Sequence, residues 1–320
     1  AANTLYVTNA NAMNMNGGEM TGGKQSGDGA FYKTGSGAFV LRPGAGLTGS
    51  VWLAQGEIRQ STGNSSTLAA GGVLVLSNGT TYSSDGTSAR TIAKATRLGG
   101  NVTLASSASY LGPLTFSGNV DLNGAQRQIT MNYTNTISGV VSNGGLTKAG
   151  SGLLILTGAN TYSTGTLVSA GVLQIGNNGT SGSVTGNITN NAALAFYRTD
   201  AFTNSGVISG TGALTNRAGT LTLSGHSPYT GGTTVSAGTL IVGGYISNSA
   251  VTVSTGATLA GTGTIGALAA LAGTVSPGST TGAAGTLSVT GAVALGGGTY
   301  TCDITGLTST DCDKIAAGGA

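Results

Sequence analysis

The segment Gly145-Leu-Thr-Lys-Ala-Gly-Ser-Gly-Leu-Leu-Ile-Leu-Thr-Gly-Ala-Asn-Thr-Tyr162 has a second version downstream, Ala213-Leu-Thr-Asn-Arg-Ala-Gly-Thr-Leu-Thr-Leu-Ser-Gly-His-Ser-Pro-Tyr229. The likeness runs on through Gly165-Thr-Leu-Val-Ser-Ala-Gly-Val-Leu173 and Gly232-Thr-Thr-Val-Ser-Ala-Gly-Thr-Leu240. From Gly152 to Gly176 it is gapless at a spacing of 67 residues. A short strand-turn-strand unit of this kind has an apolar face and nothing of its own to cover it, so it becomes stable by stacking on neighbours. A fainter version lies upstream. There Lys33, Gly35, Ser36, Gly37, Phe39, Leu41, Gly56 and Ile58 match Lys148, Gly150, Ser151, Gly152, Leu154, Leu156, Gly171 and Leu173.

Between the repeats the pattern is uniform. Runs of four to seven residues alternate apolar with Thr or Ser, as in Val102-Thr-Leu104, Leu114-Thr-Phe116, Leu221-Thr-Leu223 and Val251-Thr-Val253. Such runs read as strands with one buried face. Turn signals follow them at Asn78-Gly79, Asn123-Gly124, Asn143-Gly144 and Asn178-Gly179. Only Ala267-Leu-Ala-Ala-Leu-Ala272 looks helical, and Gly266 and Gly273 bracket it. Many very short strands with Gly and Asn punctuation favour a parallel β-solenoid over a sandwich or propeller. The 67-residue spacing is compatible with about three of its turns.

The balance of 12 basic and 9 acidic residues in 320 has no clustered basic patch, which argues against nucleic acid as a partner. No apolar run approaches the roughly 18 residues of a membrane span, so no membrane insertion of this chain is expected. The 59 glycines carry no three-residue period with proline, which excludes collagen. The start at Ala1 has neither a charged n-region nor an apolar h-region, so a signal peptide is expected to have been removed. Cys302 and Cys312 sit nine residues apart among Gly and Thr, a spacing that suits a small disulfide-closed loop in an oxidising compartment.

The ordered pattern Gly-Gly-Leu-Thr-Lys-x-Gly-x-Gly-x-Leu-x-Leu-x-Gly-x-Asn-Thr-Tyr, then Gly-Thr-x-Val-x-Ala-Gly-x-Leu, resembles the autotransporter-associated β-strand repeat. That repeat occurs in passenger regions of bacterial autotransporters and in other large secreted bacterial proteins. The tail Leu259 to Gly266, Gly273 to Gly278 and Gly285 to Val289 is similar to the segment that closes such passengers. The resemblance implies a right-handed parallel β-solenoid, exported to the cell surface or the medium. An autotransporter continues into a translocating β-barrel, which this sequence does not include. The expected organisation is an N-terminal cap with a divergent repeat over 1–62, the repeat-bearing solenoid over 63–246, and final turns with a cap and the Cys pair over 247–320.

Several motifs imitate catalytic signatures. Gly261-Thr-Gly-Thr-Ile-Gly266 fits the dinucleotide fingerprint, yet no acid stands between Asp200 and Asp303 to hold a ribose. Gly18 to Lys24 imitates a phosphate loop, but Gln25 stands where Ser or Thr would hold magnesium. Asp85-Gly-Thr-Ser-Ala89 is similar to the nucleophile segment of subtilisin-like proteases, whose His lies upstream, whereas the sole His here is His226. Asp28, Glu57, Asp85, Asp121 and Asp200 are isolated in sequence, although stacking could bring two together for glycoside cleavage. Asp303, Asp311 and Asp313 lack the period of calcium-binding solenoids and read as a solvated loop.

The expected function is therefore contact without catalysis, with no metal and no cofactor. Its partners would be a host or neighbouring-cell surface, a polysaccharide, or further copies of the chain. The alternatives are a subunit of an extracellular filament or matrix and, with less support, a polysaccharide-active enzyme. Repeated positions build the scaffold, so contact residues are sought where the copies differ: Phe31, Tyr32 and Trp52 near the N-terminus, His226, and the Cys302 loop. Tyr162 and Tyr229 recur and are expected to cap the core of their turns.

Overall fold

A computed structural model describes residues 5–8, 30–41, 48–61, 67–104, 112–270, 272–278, 284–305 and 312–318. Its regular elements are β-strands, and no helix occurs among the described residues. The chain divides into two compact units, one of residues 1–166 with 183–185, the other of 167–182 with 186–320. Each winds as a parallel β-solenoid.

In the first unit every turn contributes a strand to each of three stacks. One stack holds Phe31–Thr34, Val51–Leu53, Val73–Leu76, Ala95–Leu98, the start of Val120–Met131 and Val141–Ala149. A second holds Ala38–Leu41, Glu57–Gln60, Thr80–Ser84, Val102–Leu104 and the end of Val120–Met131. The third holds Thr67–Leu68, Arg90–Ile92, Leu114–Phe116, Asn135–Ile137 and Leu153–Leu156. Alternate side chains point inward, as the two-residue period of a strand requires. Leu53, Ile58, Leu74, Tyr82, Ile92, Leu114 and Leu122 are fully buried between the stacks. Burying each aliphatic side chain contributes roughly 1.5–3 kcal/mol, which a lone turn could not collect.

The second unit repeats the scheme. Ala193–Arg198, Ala213–Asn216, Thr233–Val235, Val251–Val253 and Leu268–Ala270 form one parallel stack. Ala201–Asn204, Thr220–Leu223, Thr239–Val242, Thr258–Gly261 and Thr274–Pro277 form another. Tyr245–Ile246, Thr264–Ile265, Thr286–Val289 and Lys314–Ala317 form a third. Leu221, Leu240 and Leu259 lie in register, nineteen residues apart, which sets the length of these turns. The 67-residue spacing of the sequence repeat is thus not a whole number of such turns but about three and a half. The helix-like Ala267 to Ala272 is instead a strand, Leu268–Ala270, on Val251–Val253. Leu268 and Ala270 point into the core while Ala269 lies half-exposed, an alternation that serves a strand as well as a helix.

Corner geometry explains the repeat's glycines. Gly219 and Gly238 have φ of 57° and 71°, a region that glycine enters without strain. A Cβ on Gly238 would lie 2.2 Å from the Gly219 carbonyl oxygen, and one on Gly219 would lie 2.5 Å from the Arg198 carbonyl oxygen. Turns therefore approach backbone to backbone at this corner.

Candidate contact surface

The acidic residues show what the surface is not built for. Glu57 pairs with Arg59 at 2.8 Å, Asp121 with Arg97 at 3.3 Å, Asp200 with Arg198 at 2.7 Å, and Asp85 with Arg90. Stacking brings each carboxylate to an arginine instead of to a second acid. Arg90 is buried, donating also to the carbonyls of Gln60 at 2.7 Å and Ser88 at 2.8 Å. Asp85 in the protease-like segment thus anchors a guanidinium. Burial opposes ionisation of Asp121, but the Asn123 N–H, the Asn143 amide and Arg97 outweigh it and hold the carboxyl below its ordinary value. The dinucleotide-like stretch runs through the strands Thr258–Gly261 and Thr264–Ile265 into a further strand, so no helix N-terminus faces a phosphate. Gly18 to Lys24, Asp28 and Asp311 lie outside the described residues.

Asp313 corrects the expectation of a solvated acidic loop. It is buried, and its carboxylate accepts the Gly285 N–H at 2.7 Å and the Asp303 N–H at 3.0 Å. It ties the final strand to the turn below. Among the described residues no three His, Cys, Asp or Glu side chains are placed to share a metal ion.

The expected disulfide is also corrected: the sulfurs of Cys302 and Cys312 are not joined. Ile304 faces Cys312 in an antiparallel bridge, which sets Cys302 opposite residue 314 and diagonal to Cys312. Diagonal positions lie about 7–8 Å apart, beyond the usual Cα separation of a disulfide. The Cys302 Sγ instead faces the Asp313 carbonyl at 3.7 Å. Burial together with the neighbouring cysteines and Asp313 raises Tyr300 to about 12, and its hydroxyl donates to the Asp313 carbonyl at 2.8 Å.

The aromatic candidates separate. Phe31 and Phe39 are core residues, with ring centroids 5.0 Å apart. Tyr32 and Trp52 face outward on adjacent strands and stack at 5.3 Å with planes 11° apart. Their facing ring surfaces cover one another. In register beyond them come Val75, Arg97, Asp121 and Ser142, giving one outward stripe of aromatic, aliphatic, charged and hydroxyl groups. His226 is exposed at a turn, edge-on to Tyr245 at 5.5 Å, and Tyr245 is 56% exposed. Sequence reading missed Tyr245 because it belongs to the next turn, with no local signal linking it to His226.

A second cluster was also unforeseen. Arg198 holds Asp200, the carbonyls of Thr180 and Gly182, and the Phe202 ring, 4.8 Å from the guanidinium. Arg217 reaches Gln174 at 2.7 Å and lies 5.5 Å from the centre of Tyr197. The available signal was Arg198-Thr-Asp200, whose first and third residues share a face. Tyr162 and Tyr229 meet the expectation of core caps: both are fully buried, and their hydroxyls meet Thr166 and Thr233 at 2.8 and 2.5 Å.

Comparison with known proteins agrees with this geometry. The passenger-associated-transport-repeat family matches residues 146–175 and 218–242, the two copies seen in the sequence. Over 51 residues the chain is 59% identical to the adhesin BmaC autotransporter of Brucella suis biovar 1 (strain 1330), a stretch covering 16% of this chain and 2% of that protein. No solved structure matches. The chain is a β-solenoid carrying autotransporter passenger repeats.

Proposed function

We propose that this chain is part of an exported, surface-displayed passenger of adhesin type, and that it works by presenting side chains to a partner surface without catalysis. The passenger repeats on a parallel solenoid carry this reading, because the fold holds outward side chains in rows at strand spacing. Arginine pairing of Glu57, Asp85, Asp121 and Asp200 supports the non-catalytic part. The name of the Brucella suis relative supports adhesion. The Tyr32–Trp52 stripe and the His226–Tyr245 pair are the contact surfaces we assign, with a host or neighbouring cell, or its polysaccharide, as partner.

The test coats inert beads with the chain and counts attachment to cultured cells and to polysaccharide-coated plates. Attachment well above bare beads is expected, reduced several-fold by Trp52→Ala or Tyr245→Ala. Coated beads that attach no better than bare ones would sink the proposal. Purified chain imaged in negative stain supplies a second arm: fibres that lengthen with concentration would replace this reading with that of a filament subunit.

A further inference from the structure

The structure separates the asparagines into two sets. Asn135, Asn160, Asn190, Asn204 and Asn216 are buried. Their amides serve the backbone: the Nδ2 groups of Asn160, Asn190 and Asn204 donate to the carbonyls of Ser183, Ala213 and Gly206 at 2.7–2.9 Å. None of these five has Ser or Thr two residues on. By contrast Asn78-Gly-Thr80, Asn101-Val-Thr103, Asn132-Tyr-Thr134, Asn178-Gly-Thr180 and Asn187-Ile-Thr189 all carry the Asn-x-Thr acceptor pattern, and all five asparagines are exposed. A sixth such pattern, Asn64-Ser-Ser66, lies outside the described residues.

Orientation adds a second observation. The Oδ1 of Asn78 accepts the Asn101 N–H at 3.0 Å, and that of Asn101 accepts the Gln128 N–H at 2.9 Å. Asn187 likewise accepts the Val207 N–H at 3.0 Å, and Asn132 the Ser151 N–H at 3.3 Å. In these four the carbonyl side of the amide is fixed by the neighbouring turn. The nitrogen side is directed away from that bond and has no partner among the described residues. Asn178 stands at φ 56° in an exposed turn, with open space around Gly179.

We propose that Asn78, Asn101, Asn132, Asn178 and Asn187 are acceptors of N-linked sugar, from a donor activated at its anomeric carbon by a phosphate leaving group. The pattern fits that chemistry because the amide nitrogen is the group to be alkylated and the residue two positions on supplies a hydroxyl to the transferase. Nδ2 attacks the anomeric carbon, the bond from that carbon to the phosphate oxygen breaks, and the phosphate departs with the electron pair. One amide proton passes to a base of the transferase. The Oδ1 bonds in the folded turns survive, since only nitrogen is substituted. Thr80 is buried and donates to the Ser77 carbonyl at 2.6 Å, so transfer at Asn78 precedes winding of its turn. Sugars at these corners would add hydrophilic bulk to a surface poor in charge.

Peptide mapping by mass spectrometry of the chain purified from the cell that makes it tests this directly, with the same chain made in a host lacking the transferase as reference. Sugar-sized mass increments on peptides containing these asparagines are expected, lost on Asn→Gln replacement at the same positions. One sugar per site would identify a nucleotide-activated donor, and a repeated oligosaccharide mass a lipid-linked one. Because intact sugar mass is read, spontaneous deamidation at Asn78-Gly79 or Asn178-Gly179 cannot imitate the result. Five unmodified asparagines in the native chain, at an intact mass equal to that of the reference, would overturn it.

Discussion

Lys33, Lys94 and Lys148 have no exposed surface, an unusual position for an ammonium group. Each is satisfied by carbonyls at a corner. Lys33 Nζ donates to Thr34 and Gly35 at 2.6 and 2.7 Å, and Lys148 Nζ makes the equivalent pair with Ala149 and Gly150 at 3.0 and 2.7 Å. Lys94 reaches the Gly71 carbonyl. The upstream match of Lys33 to Lys148 in sequence thus has a shared geometric cause. In the second copy Asn216 takes the position and donates to the carbonyls of Ala237 and Thr239. Replacing Lys148 by Met keeps the apolar stem and strips the donors, so a loss of about 1–3 kcal/mol in urea unfolding is expected. Burial lowers Lys94 and Lys148 to about 8 from 10.5, and Lys33 in the same direction. Between about pH 8 and 10.5 the unfolded chain therefore holds protons that the folded chain has released, and stability rises with pH. The buried phenols act oppositely. Burial raises Tyr82 and Tyr162 above 10, so once unfolded tyrosines ionise, stability falls. Urea midpoints measured from pH 7 to 11 should pass through a maximum near pH 10, and a steady decline from pH 7 would contradict the assignment.

At the scale of the element, the turn is set by where glycine must stand. Gly219 and Gly238 recur because successive turns touch there through backbone, and Gly238→Ala puts a methyl into the Gly219 carbonyl at positive φ. That change should cost more than the roughly 1 kcal/mol of the left-handed conformation alone, whereas Ala at Gly256, whose surroundings are open, should cost about that amount only. Comparing the two variants by urea unfolding separates crowding from conformation, and equal losses would refute the backbone-contact account. The strands and their inward residues were legible in sequence because alternation and burial share a period of two. Turn length was less legible. The sequence repeat recurs after 67 residues, while the winding closes every nineteen or so, and sequence likeness reports only the former. Tyr162 and Tyr229 could be placed because both copies carry them. Tyr245 and the Arg217–Tyr197 contact could not, since they join residues one turn apart that share no motif. The cysteines misled for a related reason: their spacing suits a loop, but pairing of Ile304 with Cys312 sets them diagonal.

The whole molecule carries 12 basic and 9 acidic residues over 320, and the four arginine–carboxylate pairs absorb much of that sparse charge. What it offers a partner on the contact surfaces is largely ring edges, methyls, hydroxyls and amides: Tyr32 and Trp52 on one unit, His226 and Tyr245 on the other. Attraction through such groups acts at contact range, where screening by salt has little purchase. Electrostatic attraction between exposed charges behaves otherwise, because the screening length shrinks from about 10 Å at 0.1 M salt to about 3 Å at 1 M. Attachment of coated beads should accordingly change by less than about twofold over that range. The counter-case is definite: a tenfold or greater loss would transfer the role to charged groups, with Arg97 the first to replace because it is the most exposed arginine in these pairs. Arg97→Gln would then reproduce the effect of salt, whereas under the present reading it leaves attachment intact and Trp52→Ala removes it.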